Sequence, residues 1–547
     1  MSETQKQHSC RCHRWLLLAL VVTAFALRVV YNTLELPPVY IYPNEEDKRN
    51  FTLGINGRDR FDDLSMPSFL YNTTWLIYQP ARVVFEWGHA KAPGTEPFRD
   101  IMVYYLWVGR VYMAVCGAIG VWLIYLLGKR LGSRRIGLIA AAFLTVAPIH
   151  VLGSRHMKED MPLGLFCTGA IIVMLDLMRR RAVRDYVRCG IMIGLCMSTK
   201  FLGLIMAVPF ALAHWLARRR HPEMHYGKSK PWWTAAIVGS MLAGFFMASP
   251  DYIVRVGDLN NAYERGIQKA YSTHADGMAV SPMDEALTDY WRSGLWPGLT
   301  PALLGLGILG WAWLYRRRRD DAILIGFWIV LFVFLLETAR ARPYPHYQRY
   351  LQPVILCMVA LSACGVEAIL QAIARKWAMP RKAAAGVTAA LTLAAAAWPI
   401  HDTCMYLSQI PNSTIIQAYN FINAQVPAGS LIVTDGYGPL VDTAKYKPLR
   451  YRKKERLNFA AFPTQPSYVL YSSQGLGRYL EHPDAVPEMT RFVHYVLGQG
   501  RLVRQWRPRF RSFYAENPTI RLYYFDVQAQ PFVPVQPPAD EKKRDEK

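Results

Sequence analysis

Leu195-Cys196-Met197-Ser198-Thr199-Lys200-Phe201-Leu202-Gly203-Leu204 lies in the middle of one apolar interval, Val187–Leu216, and divides it into two short halves. How this stretch is read decides the fold. As one long span it would invert every later loop, and four basic clusters would land on the outer side of a membrane. As two segments that turn near Lys200, it leaves all the basic loops inside. Short loops rich in Lys and Arg stay cytoplasmic, so the second reading holds.

Working outward, the other apolar runs are Trp15–Val30, Ile101–Leu127, Ile136–Leu152, Met161–Met178, Trp232–Ser249, Trp296–Tyr315, Ala322–Leu336, Leu351–Ile373 and Ala383–Ile400. With the divided interval they make about eleven segments, each near the roughly 20 residues a crossing needs. Trp15–Val30 follows Arg11 and Arg14 and has no small-residue cleavage site after it, so it reads as an uncleaved span. Lys129-Arg130 with Arg134-Arg135, Arg179-Arg180-Arg181, Arg218-Arg219-Arg220, Arg316–Arg319 and Arg375-Lys376 with Arg381-Lys382 then all fall inside. The expected fold is an α-helical polytopic membrane protein with about eleven transmembrane helices and an extracytoplasmic α/β domain at the C-terminal end.

Composition fits this division. The chain has 547 residues, 52% hydrophobic and 19% charged, with a net charge of +23. Its mean hydropathy of +0.07 averages an apolar stretch to residue 400 and a polar one after it. In a soluble protein such a charge would suggest nucleic acid. Here it falls in loops, where it sets topology and meets anionic lipid, so the expected partner is the bilayer and no nucleic acid. Of nine cysteines only Cys404 lies near the outer side, which rules out an external disulfide framework. Cys10-Arg11-Cys12 reads as two reduced thiols, because no further metal-ligand set accompanies the pair.

Residues 401–530 read as the outer α/β domain and 531–547 as a flexible tail. Ser413–Asn423 has helical spacing. Leu431-Ile432-Val433 before Thr434-Asp435-Gly436, Tyr468–Tyr471 and Leu522–Phe525 read as strands. Residues 1–400 form the membrane part, with long external loops at 32–100 and 251–295. The first loop carries Tyr42-Pro43-Asn44-Glu45-Glu46-Asp47 and an amphipathic stretch, Trp75–Trp87, that suits an interface.

Acidic side chains at a membrane edge mark sites that handle protons, cations or a nucleophile. Glu45, Glu46 and Asp47 are therefore candidate catalytic groups, with Asp160 as a second acidic position. Asp160 ends the turn Ser154-Arg155-His156-Met157-Lys158-Glu159, whose density of bases and acids suits a phosphate site beside a general base. An ordinary solvated turn would look the same. Lys200 interrupts apolar sequence and needs an anion, either Asp160 or a ligand phosphate; a lysine snorkelling to water is the plainer alternative. His346, Arg349 and Tyr350 open a late span and suit a phosphate headgroup, or else anchor the interface.

In this order the pieces resemble the GT-C type membrane glycosyltransferases that use polyprenyl-phosphate sugars, the group of the protein O-mannosyltransferases and lipid A aminoarabinose transferases. The resemblance rests on Asn44-Glu45, on Arg155 through Asp160-Met161-Pro162, on Thr199-Lys200 and on Arg349-Tyr350-Leu351-Gln352-Pro353. His274-Ala275-Asp276-Gly277 looks like the family's His-x-x-Gly region. It implies inverting transfer of a sugar from a polyprenyl-phosphate donor to a hydroxyl on a protein, lipid or glycan acceptor. The donor phosphate would lie near Lys200, Arg155 and Arg349, with His156, His274, His346 and Tyr350 lining the substrate. A carboxylate at 45–47 would take the acceptor proton. The chain departs from the family at Asn44, where an Asp is usual and where asparagine cannot take a proton. Relatives differ in metal use, so a divalent metal is left open. A bacterial inner membrane, with the C-terminal domain in the periplasm, is the expected location. A secondary transporter or flippase, and a non-catalytic binder of lipid-linked sugar, are the alternatives; turnover in detergent separates both from a transferase.

Overall fold

The apolar runs fold as helices because hydrocarbon leaves the backbone no other way to satisfy its polar groups. The structure, a computed structural model, describes residues 3–37, 39–40, 45–53, 67–91, 100–221, 230–254, 257, 264, 290–338, 345–377, 379–434, 436–450, 465–481, 483, 487–510 and 517–526. The helices of the frame are α1 (Glu3–Val29), α2 (Glu45–Leu53), α3 (Phe69–Lys91), α4 (Ile101–Leu131), α5 (Arg134–Val146), α6 (Pro148–Gly153) and α7 (Asp160–Arg180). They continue with α8 (Val183–Thr199), α9 (Ala207–Arg220), α10 (Lys230–Ala248), α11 (Trp296–Arg317), α12 (Arg319–Thr338), α13 (Gln352–Trp377) and α14 (Arg381–Gln409).

Among the described residues, seven helical stretches are long and apolar enough, by length and composition, to cross a membrane. The remaining expected spans are shorter or interrupted. Val187–Leu216 divides where the sequence says it should. α8 stops at Thr199, Lys200 is extended (φ −157°), and a 3₁₀ turn, Phe201–Met206, leads into α9. Ile136–Leu152 is broken at Ala147, since Pro148 has no N–H to give to the Leu144 carbonyl. Arg28 of α1 replaces it: its guanidinium donates to the carbonyls of Leu144 (3.2 Å) and Thr145 (3.4 Å) and to His150 Nδ1 (2.7 Å).

The two ends of the frame differ. At one end the basic loops are tied to acids on neighbouring helices, Arg130 to Asp176 (3.1 Å), Arg135 to Glu367 (2.5 Å) and Arg179 to Asp321 (2.7 Å). At the other end lie the turn before α7, the break after α8 and the 3₁₀ turn Pro345–Leu351 that opens α13. Helix α3 packs Phe69, Tyr71, Thr74 and Tyr78 inward and exposes Leu76, Val83, Val84 and Trp87. This is the two-faced pattern expected of an interfacial helix.

After α14, helix α15 (Thr414–Gln425) opens on a Ser413 cap and begins the second domain. Strands β1 (Leu431–Thr434), β2 (Lys447–Arg450), β3 (Ser467–Ser472), β4 (Arg501–Trp506) and β5 (Ile520–Phe525) form one sheet in the order β2-β1-β3-β5-β4. β1 runs parallel to β2 and β3, while β5 is antiparallel to β3 and β4. The two-residue period separates two faces. Ile432, Leu470 and Leu522 pack under α15, and Val433, Val469 and Tyr523 pack under helix α16 (Pro487–Gln499). This domain also holds the start of the first loop: Tyr40 lies in its core, and Leu440 N–H donates to the Val39 carbonyl at 2.9 Å.

Candidate active site

Chain breaks bring the site together. Asp160 is the first residue of α7, Lys200 the cap of α8, and Arg349 and Tyr350 end the 3₁₀ turn before α13. Asp160 takes Lys200 on one oxygen (3.0 Å) and Arg349 Nε on the other (2.9 Å). The Tyr350 ring lies against both cations, 4.0 Å from Lys200 Nζ and 5.0 Å from the Arg349 guanidinium carbon. Lys200 thus finds the carboxylate that an ammonium in apolar sequence requires.

Helix α2 supplies the other wall. Glu45 is fully buried and receives Arg110 of α4, with Nη2 at 2.7 Å and Nε at 3.3 Å from both oxygens. It also accepts the Met157 N–H at 2.8 Å, and His156 Nδ1 stands 3.7 Å away. One turn along α2, Lys48 donates to Tyr71 Oη (3.0 Å) and lies 3.7 Å from Glu159. Lys158, in the same turn, is buried as well. Among the described residues around the turn, Lys48, Lys158, Lys200 and Arg349 face Glu159 and Asp160, four basic side chains against two carboxylates, beside the closed Glu45–Arg110 pair.

Electrostatics follow from that surplus. Burial pushes the Glu45 carboxyl up, but Arg110 and then His156 outweigh it and hold the acid well below the usual carboxylate range. Glu159 is likewise lowered, burial being overcome by Lys48, Lys200, Lys158 and Arg349. Lys158 moves the other way to the same end: burial, then Arg349, push its ammonium down to about 7.

The structure thus brings Glu45, His156, Asp160, Lys200, Arg349 and Tyr350 to one region. Arg155 donates to the carbonyls of Arg28 (3.4 Å) and Val30 (2.7 Å), which ties the turn to the end of α1. Glu46 and Asp47 lie on α2 and His346 on the 3₁₀ turn, but their side chains fall outside the described residues, as do all of Asn44 and His274. Among the described residues no three His, Cys, Asp or Glu side chains form a metal-binding group. Asp160 and Glu45, each committed to cations, do not fit a divalent ion.

Sequence reading missed Arg110 and Lys48, and took Lys158 only as one of the bases of the turn. For Arg110 a signal existed, since it is the one charged residue in the run Ile101–Leu127. An ionisable side chain inside a span is a functional candidate by default. Lys48 and Lys158 stand in charged stretches where nothing local separates them from solvated neighbours.

Residues 98–247 match the family model described as dolichyl-phosphate-mannose-protein mannosyltransferase. The structure is similar to ArnT from Cupriavidus metallidurans bound to undecaprenyl phosphate. The TM-score is 0.53 at 14% identity over 93% of this chain and 97% of that one. The chain has the GT-C fold. A second GT-C protein, the archaeal oligosaccharyltransferase AglB from Archaeoglobus fulgidus in complex with an inhibitory peptide and a dolichol-phosphate, is similar with a TM-score of 0.51. Its identity is 13%, over 96% of this chain and 75% of that chain. No curated protein matches the chain by sequence. The GT-C fold covers the helical frame and the sheet domain together, in agreement with the resemblance drawn from Asn44-Glu45, Asp160, Lys200 and Arg349.

Proposed function

We propose that the protein transfers a sugar, with inversion, from a polyprenyl-phosphate donor to a hydroxyl acceptor at the outer face of a bacterial inner membrane, its sheet domain lying in the periplasm. The observation that carries this reading is the surplus of basic side chains over carboxylates among the described residues around Asp160. A departing phosphate gains negative charge in the transition state, and preorganised cations stabilise that charge more than the ground state. Lys200 and Arg349, held in place by Asp160 and the Tyr350 ring, are the donor-phosphate ligands of this reading. His156, and with it His274 and His346, would contact sugar or acceptor.

The family match over residues 98–247 supports a sugar-transfer reaction, and the two GT-C neighbours support a polyprenyl phosphate as donor lipid. AglB holds a peptide; protein, lipid and glycan acceptors all remain within the reading. Glu45, the carboxylate expected to act as base or to be replaced by Glu46 or Asp47, is better placed to fix the turn: Arg110 and the Met157 N–H occupy its oxygens.

The test is donor release. Purified protein in detergent is given undecaprenyl-phosphate-linked mannose, glucose, N-acetylglucosamine and aminoarabinose, each with and without a chelator, with cell lysate as acceptor source. Free undecaprenyl phosphate from one donor supports transfer and names the sugar. No release from any donor, together with tight binding of undecaprenyl phosphate, would leave a non-catalytic binder or a flippase.

A further inference from the structure

We propose that the free edge of the sheet domain, strand β4 with the arginines that follow it, docks on anionic phospholipid headgroups of the bilayer that the helical frame spans. The inference goes beyond the transferase reading and holds whether or not a sugar is transferred. It starts from sequence that the Asp160 cluster does not use, Arg501-Leu502-Val503-Arg504-Gln505-Trp506-Arg507-Pro508-Arg509. Four of these nine residues are arginines and none is acidic.

β4 ends the strand order of its sheet, so one of its edges is unpaired. Charge and bulges commonly guard such an edge. Here the bulge also re-aims side chains. Val503 has no partner on β5, while Arg501 pairs with Tyr524 and Arg504 with Leu522. Tyr524 and Leu522 are two residues apart and share a face. A regular strand would put residues 501 and 504 on opposite faces; the extra residue brings both arginines to the α15 face. There each lies on an aromatic ring. The Arg501 guanidinium carbon is 5.0 Å from the centre of the Tyr524 ring, and that of Arg504 is 4.9 Å from Phe421 of α15 and 5.8 Å from Trp506. Stacking of this kind holds a guanidinium in place without using its N–H groups.

The charge is not spent within the protein. Arg501, Arg504, Arg507 and Arg509 are all exposed, and among the described residues none of them pairs with a carboxylate. Helix α15 and strands β4 and β5 contain no Asp or Glu. The basic loops at the far end of the frame differ, since Arg130 and Arg179 are tied to Asp176 and Asp321. Leu502 and Val503, 49% and 39% exposed, add apolar surface between the arginines, a mixture suited to a lipid interface.

Position decides which anion. Phe510, next to Arg509, packs on the outer end of α14. Its ring lies 6.3 Å from His401 and 5.3 Å from Tyr406, and its N–H donates to Gln409 Oε1 at 3.0 Å. The apolar run of α14 ends at Ile400, beside the exposed Trp398, and tryptophan marks the bilayer interface. His401 and Tyr406 lie about 2 and 9 Å beyond Ile400 along the helix, against a headgroup layer about 5–8 Å deep. Arg507 and Arg509 therefore stand at headgroup height, where each arginine strengthens attraction to anionic lipid by about fivefold. An acidic peptide would meet the same charge, but only lipid is held at that height.

The experiment uses the full chain in nanodiscs of phosphatidylcholine, with and without added phosphatidylglycerol. Hydrogen exchange of the amides in residues 501–510 is read by mass spectrometry. Phosphatidylglycerol should slow that exchange by about tenfold or more, and salt at about 0.5 M should remove the effect. The combined variant Arg504→Gln, Arg507→Gln and Arg509→Gln should lose the lipid dependence while exchange in α16 stays as in the wild type. Equal exchange of the wild type in both lipids would overturn the proposal, and so would lipid protection that survives in the variant. The wild-type comparison needs no substitution, so a misfolded variant does not shield the idea. Polyglutamate added to the phosphatidylcholine nanodiscs tests the other partner. Protection by polyglutamate and none by phosphatidylglycerol would assign the surface to an acidic polypeptide and overturn the lipid. Sugar transfer is not read in this test, so its failure leaves the transferase reading standing.

Discussion

Breaking the pair between Arg110 and Glu45 should loosen helix α2 far more than it loosens the rest of the frame. Both side chains are buried, at 2% and 0% exposure, and three contacts of 2.7 to 3.3 Å join them. Arg110→Met leaves a carboxylate in a site with little access to water, which costs about 3–5 kcal/mol when a buried pair loses one partner. Glu45→Gln keeps an oxygen for the Met157 N–H but loses the charge-assisted part of the Arg110 contact, about 1.5–3 kcal/mol. The double variant removes both charges together, so its effect should fall short of the sum of the singles by about 1–3 kcal/mol. A global melt averages over two domains, so the assay is hydrogen exchange of the amides in residues 45–53, read by mass spectrometry. At about 3 kcal/mol, Arg110→Met should raise local opening by roughly a hundredfold. Effects of the two singles that add to within about 0.5 kcal/mol of the double would show that the pair does not hold α2, and the assignment of Glu45 to positioning would fall with it.

Further outcomes follow from other contacts. Lys200→Ala and Arg349→Ala should each weaken undecaprenyl phosphate binding by about 10- to 100-fold, the worth of one charge-assisted hydrogen bond, measured by titration in detergent; unchanged affinity would move the phosphate elsewhere. Asp160→Asn should abolish transfer in a protein that still folds, since it releases both cations from their shared anchor; near-normal transfer rates would contradict that role. Gly117→Ala should lower the melting temperature. A Cβ there would come within 2.6 Å of Arg28 Nε and 2.8 Å of Ser154 Cβ, an overpacking of about 1–3 kcal/mol. Lys158→Met should stabilise the protein at neutral pH. Burial, then Arg349, push the folded lysine down to about 7, from 10.5 for the free side chain. The unfolded chain therefore holds the extra proton between those values, and wild-type stability should rise with pH across that window while the variant's does not. Melting curves at pH 7 and pH 10 that shift equally for both proteins would refute this.

Much of the architecture was legible because membrane spans write themselves in long apolar runs. The Lys loops and the Ser198-Thr199-Lys200 interruption placed the break after α8 correctly, since a lysine in apolar sequence demands a reason. Pro148 was legible in principle, yet Ile136–Leu152 read as one span because hydropathy does not register a missing N–H. In the sheet domain β1, β3 and β5 showed their apolar residues. β2 carries Lys447, Pro448 and Arg450, and β4 begins Arg501-Leu502-Val503-Arg504 with a bulge after Leu502; neither alternates cleanly, so neither announced itself. At the site, Asp160, Lys200 and Arg349 were found as separate motifs, and their meeting agrees with a common role. For Arg155 the sequence suggested a phosphate, and the structure adds contacts to the carbonyls of Arg28 and Val30 at the end of α1, which no local pattern announces.

Sugar transfer at the Asp160 cluster is tested most directly by a single-turnover experiment. Enzyme in excess over a radiolabelled undecaprenyl-phosphate sugar is mixed with acceptor lysate, and free undecaprenyl phosphate and labelled product are followed together. Both should appear at one rate in the wild type, and neither with Asp160→Asn. Wild-type protein that binds the donor and returns it intact, or an Asp160→Asn variant that transfers as fast, would contradict it.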